Sequence, residues 1–404
     1  MYINFWYPII RSEDLSYDNP EKAKVLGSNL VVFRDQEGKA RVLSDTCTHR
    51  GGSLGGAWSA GDTPRIINGC VVCPYHGWEF GGDGECKNIP SIGYGTKTPP
   101  RAKVDSYPVE ERYGIVFAFL GDAPEEERPP MFEVEEYGQE GWRANSVLIL
   151  EVDYNYERSM ENGLDPAHNE FVHPTHGFSG INRETYGVRE YNTEDHRQGW
   201  GFWFMHKFDS PPLPQEGHAT ASGKTPWGAE KTERSDVMAG GGTYGPNIMA
   251  TYINLRPAPE HKGFRQYFFE QPVDENHTRI FFLNMRDFLL DPSNDGPIHA
   301  RNKVIAQQDI NVLLEINPQR TPMSNTQEVL MPADKAIVAY REWLEKFDNK
   351  GWRIDIEEFN RRNGKDTAFA IPSPARRTSG NWVLEAVPTI KSRIDRKAAK
   401  DVAA

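Results

Sequence analysis

Cysteine is scarce, at 4 in 404 residues. That is too few for a disulfide framework in a chain this long, and it fits a reducing compartment, the cytoplasm. Long apolar runs are missing too. No unbroken apolar run of roughly 18 residues occurs, the length at which a membrane-spanning helix becomes a candidate. Positive charge is not in excess: 46 Lys and Arg face 58 Asp and Glu, for a formal net charge of −12. Such a chain repels a polyanion, which argues against nucleic acid as a partner. The N-terminus MYINFWYPII is apolar but carries no basic leader, so it reads as a folded edge strand rather than a signal peptide. No internal repeat is visible.

What is present is the composition of a folded protein, with 38% hydrophobic, 26% charged and 11% aromatic residues. The length exceeds that of a single core, so two domains are expected. GDAPEEERPP, Gly121 to Pro130, combines prolines with a run of Glu. It cannot build a central strand and reads as a linker, dividing residues 1–125 from 131–404. Before it lie short strand-like runs such as NLVVF and GIVFAFL, punctuated by Gly, Asn and Pro, which predict an all-β block.

After it, Leu148 to Tyr156 alternates apolar and polar residues, the period of a half-buried strand. WGFWFMHKF, IMATYINL, RQYFFE and TRIFFLNMR look similar. Helical patterns cover Ile298 to Ile316 and the stretch from Ala333. The second block is therefore α+β, a large antiparallel sheet with flanking helices. GKTPWGAE, AGGGTYGPN and the tail KSRIDRKAAKDVAA read as loop-like or solvated.

Two short stretches carry metal chemistry. "CTH" offers Cys47 and His49, and "CPYH" offers Cys73 and His76. Two thiolates and two imidazoles are the ligand set of a Rieske [2Fe–2S] centre, with cysteines on one iron and histidines on the other. Glycines after each pair, in HRGG and YHGW, let the loops turn sharply. Structural zinc would accept the same set, or a four-cysteine set with Cys70 and Cys86. That would leave both histidines without a role, so Cys70 and Cys86 read instead as small buried hydrophobes.

The second stretch is ENGLDPAHNEFVHP, with Asp165, His168 and His173. Positions five apart on a helix differ by about 140°, so the two histidines share a metal only if the helix is distorted or ends between them. Pro174 supplies a stop nearby. Two imidazoles plus a carboxylate would form the facial triad of a non-haem Fe(II) oxygenase. Alternatively Asp165–Pro166 is a helix N-cap followed by proline, and the histidines are ordinary. Asp165 stands three residues before His168, the spacing of a shared helix face, from which its carboxylate would reach the outer nitrogen of His168.

CTHRGGSL followed by CPYHGWEFGGDGECKNIPS resembles the Rieske domain of Rieske non-haem iron oxygenases. Residues 50 to 72 separate His49 from Cys73, more than the family usually has, so AWSAGDTPRIING looks like an insertion. The resemblance extends to D-x-x-H-x-x-x-x-H and covers nearly the whole chain. It implies an all-β Rieske domain followed by a helix-grip (START-like) catalytic domain. Asp309 in IAQQDINVLLEINP is implied as the carboxylate ligand, with Glu315 as the fallback. The alternative for Asp309 is a plain surface acid.

Also implied are a [2Fe–2S] cluster, a mononuclear Fe(II), O2 as co-substrate and NAD(P)H electrons arriving through a ferredoxin or flavin reductase. The relatives form head-to-tail homotrimers, in which Asp165 would bridge a cluster histidine of one subunit to His168 of the next. The N-terminal position of the cluster resembles the branch of vanillate and dicamba demethylases and pheophorbide-type oxygenases. Monooxygenation or oxidative demethylation of a small organic substrate is therefore expected ahead of arene cis-dihydroxylation. The rival readings are a Rieske electron carrier and a zinc-stabilised START-like ligand-binding protein. Pocket residues are expected between Met205 and Arg256 and on the Phe-rich strands.

Overall fold

The computed structural model describes residues 1–173, 187–210, 235–254, 263–322 and 324–392. Contacts gather the chain into two compact units. The first holds Met1–Met131, Gln271–Glu275 and the described residues from Glu345 onward; the second holds Phe132–Glu270 and Asn276–Leu344. Gly121 to Pro130 lies within the first unit. There it is packed rather than loose, because Trp6 Nε1 donates to the Pro129 carbonyl at 2.9 Å.

Up to Met131 the regular elements are strands and short 3-10 turns. In chain order the strands are β1 (Phe5–Arg11), β2 (Glu21–Val25), β3 (Ser28–Arg34), β4 (Ala40–Ser44), β5 (Ile66–Ile67) and β6 (Cys70–Val72). They continue with β7 (Glu79–Phe80), β8 (Cys86–Asn88), β9 (Ser106–Tyr107), β10 (Val109–Arg112) and β11 (Ile115–Leu120). They form three small sheets, ordered β1-β11-β10, β2-β3-β4-β9 and β5-β6-β7-β8. The N-terminal strand is indeed an edge. Val31, Phe33, Leu43 and Phe80 pack with Cys47 and Cys73 in one buried cluster, so both thiols grow out of the core.

The second unit is built on an eight-stranded sheet. Its strands are β12 (Arg143–Ala144), β13 (Leu148–Val152), β14 (Thr193–Asp195), β15 (Gly201–Ser210), β16 (Ser235–Tyr244), β17 (Ile248–Asn254), β18 (Gly263–Pro272) and β19 (Thr278–Arg286). The order is β12-β19-β18-β17-β16-β15-β14, with β13 also pairing β19. Helix α1 (Tyr156–Leu164) lies against β16 and β17 and touches α3 (Asp295–Leu313). The four-residue α2 (Asn169–Val172) also meets α3, and α4 (Lys335–Asn349) follows.

Two expectations are corrected. The alternation from Leu148 to Tyr156 is not one strand, because β13 stops at Val152 and Asn155 caps α1, its side chain accepting from the Glu157 N–H at 3.0 Å. An asparagine N-cap outweighs the period of two. AGGGTYGPN is not a loop either, since Ala239 to Tyr244 lies in β16. Its glycines answer to close approach: a Cβ on Gly242 would come within 2.6 Å of the Trp203 ring. GKTPWGAE, Pro174 and nearly all of the C-terminal tail lie outside the described residues.

Candidate metal centres

Two loops of the first unit share one design. Cys47 follows β4 and Cys73 follows β6. Four residues on, Gly51 and Gly77 donate their N–H back to the respective cysteine carbonyl, both at 2.9 Å. Both glycines have φ just above +70°, at +73° and +72°, a left-handed conformation that costs other residues energy. A Cβ on Gly52 would sit 3.1 Å from Cys73 Sγ, so a bare residue here eases the close approach of the two loops.

The four donors sort by depth. Cys47 and Cys73 are buried, whereas His49 and His76 are exposed. The neighbouring Cys47 thiol, helped by the Tyr75 and His76 N–H groups, draws the Cys73 thiol down against the effect of burial. The imidazole centroids stand 4.3 Å apart, and Trp78 stacks on His49 at 4.6 Å. A buried sulfur pair beneath an exposed nitrogen pair fits a cluster with thiolates on the inner iron and imidazoles on the outer.

Cys70 and Cys86 behave differently. Their sulfurs face the carbonyls of Asn68 and Asn88, at 3.9 and 3.3 Å. Burial pushes both thiols up, Cys86 to about 11. With both sulfurs turned to carbonyls of their own hairpins rather than to the Cys47 and Cys73 pair, the four-cysteine zinc arrangement loses support.

In the second unit the geometry of α2 resolves the five-residue spacing. His168 is its N-cap and His173 its C-cap, so neither lies within a regular helix. Both Nε2 atoms face Asp309 Oδ1 on α3, at 3.6 Å from His168 and 3.1 Å from His173. Among the described residues, donor atoms of these three lie within 4.8 Å of one another. Apart from these two imidazoles, Asp309 Oδ1 is buried with no hydrogen-bond partner among the described residues.

The outer nitrogens are engaged elsewhere. His168 Nδ1 stands 2.5 Å from the Asp165 carbonyl, and His173 Nδ1 stands 3.0 Å from Gln308 Oε1. A hydrogen on Nδ1 satisfies each acceptor and leaves an Nε2 lone pair free for a metal. The donor set therefore fits a divalent iron with open positions.

Asp165 differs from the helix-face expectation. It is the C-cap of α1, neither an N-cap nor on a helix shared with His168. Its backbone carbonyl, not its carboxylate, meets His168, and its Oδ1 accepts the Ala167 N–H at 2.7 Å. Proline at 166 explains this, because a residue before proline avoids helical backbone. Glu315 is exposed and stands apart from the cluster. Gln308 escaped the sequence reading, since a glutamine on a helix carries no pattern of its own.

His168, His173 and Asp309 open on a cavity of about 160 Å³. Phe204, Met249, Ile253, Phe268, Ile305 and Ile310 give it apolar walls, with polar points at Asn162, Thr251 and Gln266. On β15 the alternation turns Phe204 and His206 inward, while Met205 faces out.

Residues 5–108 match the Rieske [2Fe-2S] domain, and residues 152–349 match the vanillate O-demethylase oxygenase C-terminal domain. This chain belongs to the Rieske non-haem iron oxygenases, whose equipment is a Rieske cluster, a mononuclear iron and O2.

The phenoxybenzoate dioxygenase subunit alpha of Ectopseudomonas oleovorans is 37% identical over 192 residues, 44% of either chain. The chloroplastic protein TIC 55 of Pisum sativum is 30% identical over 84% of this chain and 57% of its own length. The chain thus spans about half the length of these curated relatives. The structure of NdmA of Pseudomonas putida CBB5 with caffeine superposes with a TM-score of 0.65 at 21% identity, over 86% of this chain and 91% of that one, a likeness of fold. No helix among the described residues is long and apolar enough to cross a membrane.

Proposed function

We propose that the chain is the oxygenase component of a multicomponent system that hydroxylates or oxidatively demethylates a small, largely apolar organic substrate. The observation that carries this is the convergence of His168, His173 and Asp309 on an apolar cavity, in a chain whose other unit has the Cys47, His49, Cys73 and His76 loops. In this reading those four hold the cluster, and His168, His173 and Asp309 hold the iron. When bound, the iron supplies O2 activation, using electrons from the cluster. The apolar walls exclude water and orient the substrate, while Asn162, Thr251 and Gln266 fix its polar groups. The match to a vanillate O-demethylase domain supports demethylation ahead of dihydroxylation.

Electrons arrive from a ferredoxin or a flavin reductase that uses NAD(P)H. The working form is a cytoplasmic homotrimer in which the cluster of one subunit serves the iron of the next, with Asp165 between them.

The test is substrate-dependent O2 uptake by the reconstituted protein with a surrogate reductase and NADH, screened over methoxylated aromatics, N-methylated heterocycles and sterols. Product retaining one atom from labelled O2, or formaldehyde released with the demethylated product, is the expected result. An electron carrier would contain two irons per chain and no turnover, and a zinc protein would be colourless.

A further inference from the structure

Glu270 on β18 is a buried acid with no part in holding metal. It is 0% exposed. Ser159 Oγ on α1 donates to its Oε1 at 2.8 Å, while Oε2 has no hydrogen-bond partner among the described residues. Burial pushes the carboxyl up to about 8, and the Ser159 bond offsets this only in part. A fully buried carboxylate with one hydrogen bond is a poorly solvated anion, so the neutral acid is the resting form.

Ser159 also neighbours Tyr154, which comes from the turn between β13 and α1, and its hydroxyl eases the Tyr154 phenol down against burial. Tyr154 is the titratable group that reaches Glu270 from another element, and it feels both Glu270 and Asp309 of α3. Burial first, then these two carboxyls, raise its phenol and keep it protonated. Ser159 and Tyr154 both line the cavity that contains His168, His173 and Asp309. An acid, a hydroxyl and a phenol thus run in a row from a sealed interior site to the cavity wall.

We infer that Glu270 stores a proton for the reaction in the cavity, and that Ser159 and Tyr154 conduct it there. This rests on the oxygenase reading, in which O2 reduction consumes protons in a cavity that shuts out water. The transfer balances. The Glu270 O–H breaks as Ser159 Oγ gains a proton, the Ser159 proton passes to Tyr154 Oη, and the Tyr154 proton passes to an oxygen base formed in the cavity by O2 reduction. Each O–H bond broken is matched by one formed, no electron changes owner, and the negative charge stays on Glu270. Ser159 then donates to Oε1, the bond seen in the structure. Hydroxyl hydrogens turn freely, so one oxygen separation serves before and after transfer.

The experiment compares reconstituted wild type with Glu270→Gln, Ser159→Ala and Tyr154→Phe, checking that each holds full iron and a reducible cluster. The infrared spectrum of the wild type should show a protonated-carboxyl stretch at neutral pH that fades as pH passes about 8. The band should vanish in Glu270→Gln and shift in the other two. Substrate-dependent turnover should fall by roughly 100-fold in Glu270→Gln and Ser159→Ala, the usual scale for a lost proton donor. In both, O2 should be diverted to hydrogen peroxide. The alkaline limb of the wild-type pH profile should disappear in Glu270→Gln, which a merely structural change would not do. A band that Tyr154→Phe leaves unmoved, or wild-type turnover and pH profile in Glu270→Gln, would overturn the path. Wild-type protein that takes up no O2 with any substrate would overturn the oxygenase reading and this inference together, whereas failure confined to the variants removes the path alone.

Discussion

His173 Nδ1 stands 3.0 Å from Oε1 of Gln308, the residue directly before Asp309 on α3. Consecutive residues of one helix thus address the same histidine from two sides: Gln308 fixes its outer nitrogen and Asp309 faces its inner one at 3.1 Å. Groups that orient a ligating imidazole typically matter by about 10–100-fold in metal affinity. Gln308→Leu should therefore weaken Fe(II) binding on that scale while leaving the cluster spectrum unchanged. Titration of the iron-depleted protein with Fe(II) measures it, and Gln308→Asn, one carbon shorter, should restore little.

Removing a ligand is more severe than loosening one. His168→Ala and His173→Ala should lose the mononuclear iron and all turnover but keep the visible absorption of the cluster, whose loops belong to the other unit. Asp309→Ala should act likewise, and less completely if water takes the place of the carboxylate. Cys47→Ser and Cys73→Ser should bleach the protein, whereas Cys70→Ser and Cys86→Ser, whose thiols face carbonyls of their own hairpins, should not. Iron counts and electron paramagnetic resonance on the same samples separate the two centres. Bleaching by Cys70→Ser without bleaching by His76→Ala would reverse the ligand assignment.

Asp309 depends on where its helix begins. Asp295, the first residue of α3, accepts from Arg143 Nε at 2.8 Å and from Arg286 Nη2 at 2.6 Å. Arg286 is 0% exposed but keeps the Leu289 carbonyl and Asn145 Oδ1 as acceptors, and Asp295 is partly exposed, so losing the carboxylate costs about 1–3 kcal/mol. Asp295→Ala should lose that much stability in urea unfolding and some iron affinity with it. The bond from Arg143, then that from Arg286, holds the Asp295 carboxyl down at about 2, below its ordinary 3.8. A group lowered on folding stabilises above its unfolded value and loses that contribution as pH falls through the folded one. The stability gap between wild type and Asp295→Ala should thus be constant from neutrality to about pH 4 and shrink below it.

The Cys47–His49 and Cys73–His76 pairs stand out in the sequence because each sits within one loop, where spacing is itself geometry, whereas His168 and His173 flank the short α2. The gathering of Asp309 with His168 and His173 was reached through resemblance, since nothing local distinguishes it from any other helix acid. Gln308, Ser159 and Glu270 were invisible for the same reason: their roles exist only once α1, α3 and β18 come together. Gly240 to Gly242 read as a loop because glycine marks turns in most sequences, whereas here it admits close neighbours to β16, the Trp203 ring at Gly242 and the Ala250 carbonyl at Gly241. At Asp165 the atom that meets His168 within the chain is the backbone carbonyl, not the carboxylate. Spacing gave three positions on a helix, but Pro166 ended the helix, so the carbonyl took the task assigned to the carboxylate.

That exchange sharpens what Asp165→Asn can test. The Asp165 carbonyl, which meets His168, is backbone and survives the substitution. Asparagine also keeps the oxygen that accepts the Ala167 N–H at 2.7 Å, a turn that Asn and Asp make alike. Burial raises the Asp165 carboxyl, and His168 counters this, so the substitution removes the charge and little else. Iron and cluster should both stay at wild-type occupancy, and a chemical donor should still reduce the cluster. If the carboxylate accepts from a cluster histidine of a neighbouring subunit, the variant should slow electron transfer to the iron by orders of magnitude. Stopped-flow single turnover with substrate and O2, following cluster reoxidation, reads that step directly. Reoxidation at the wild-type rate would show that the carboxylate only shapes the turn between α1 and α2.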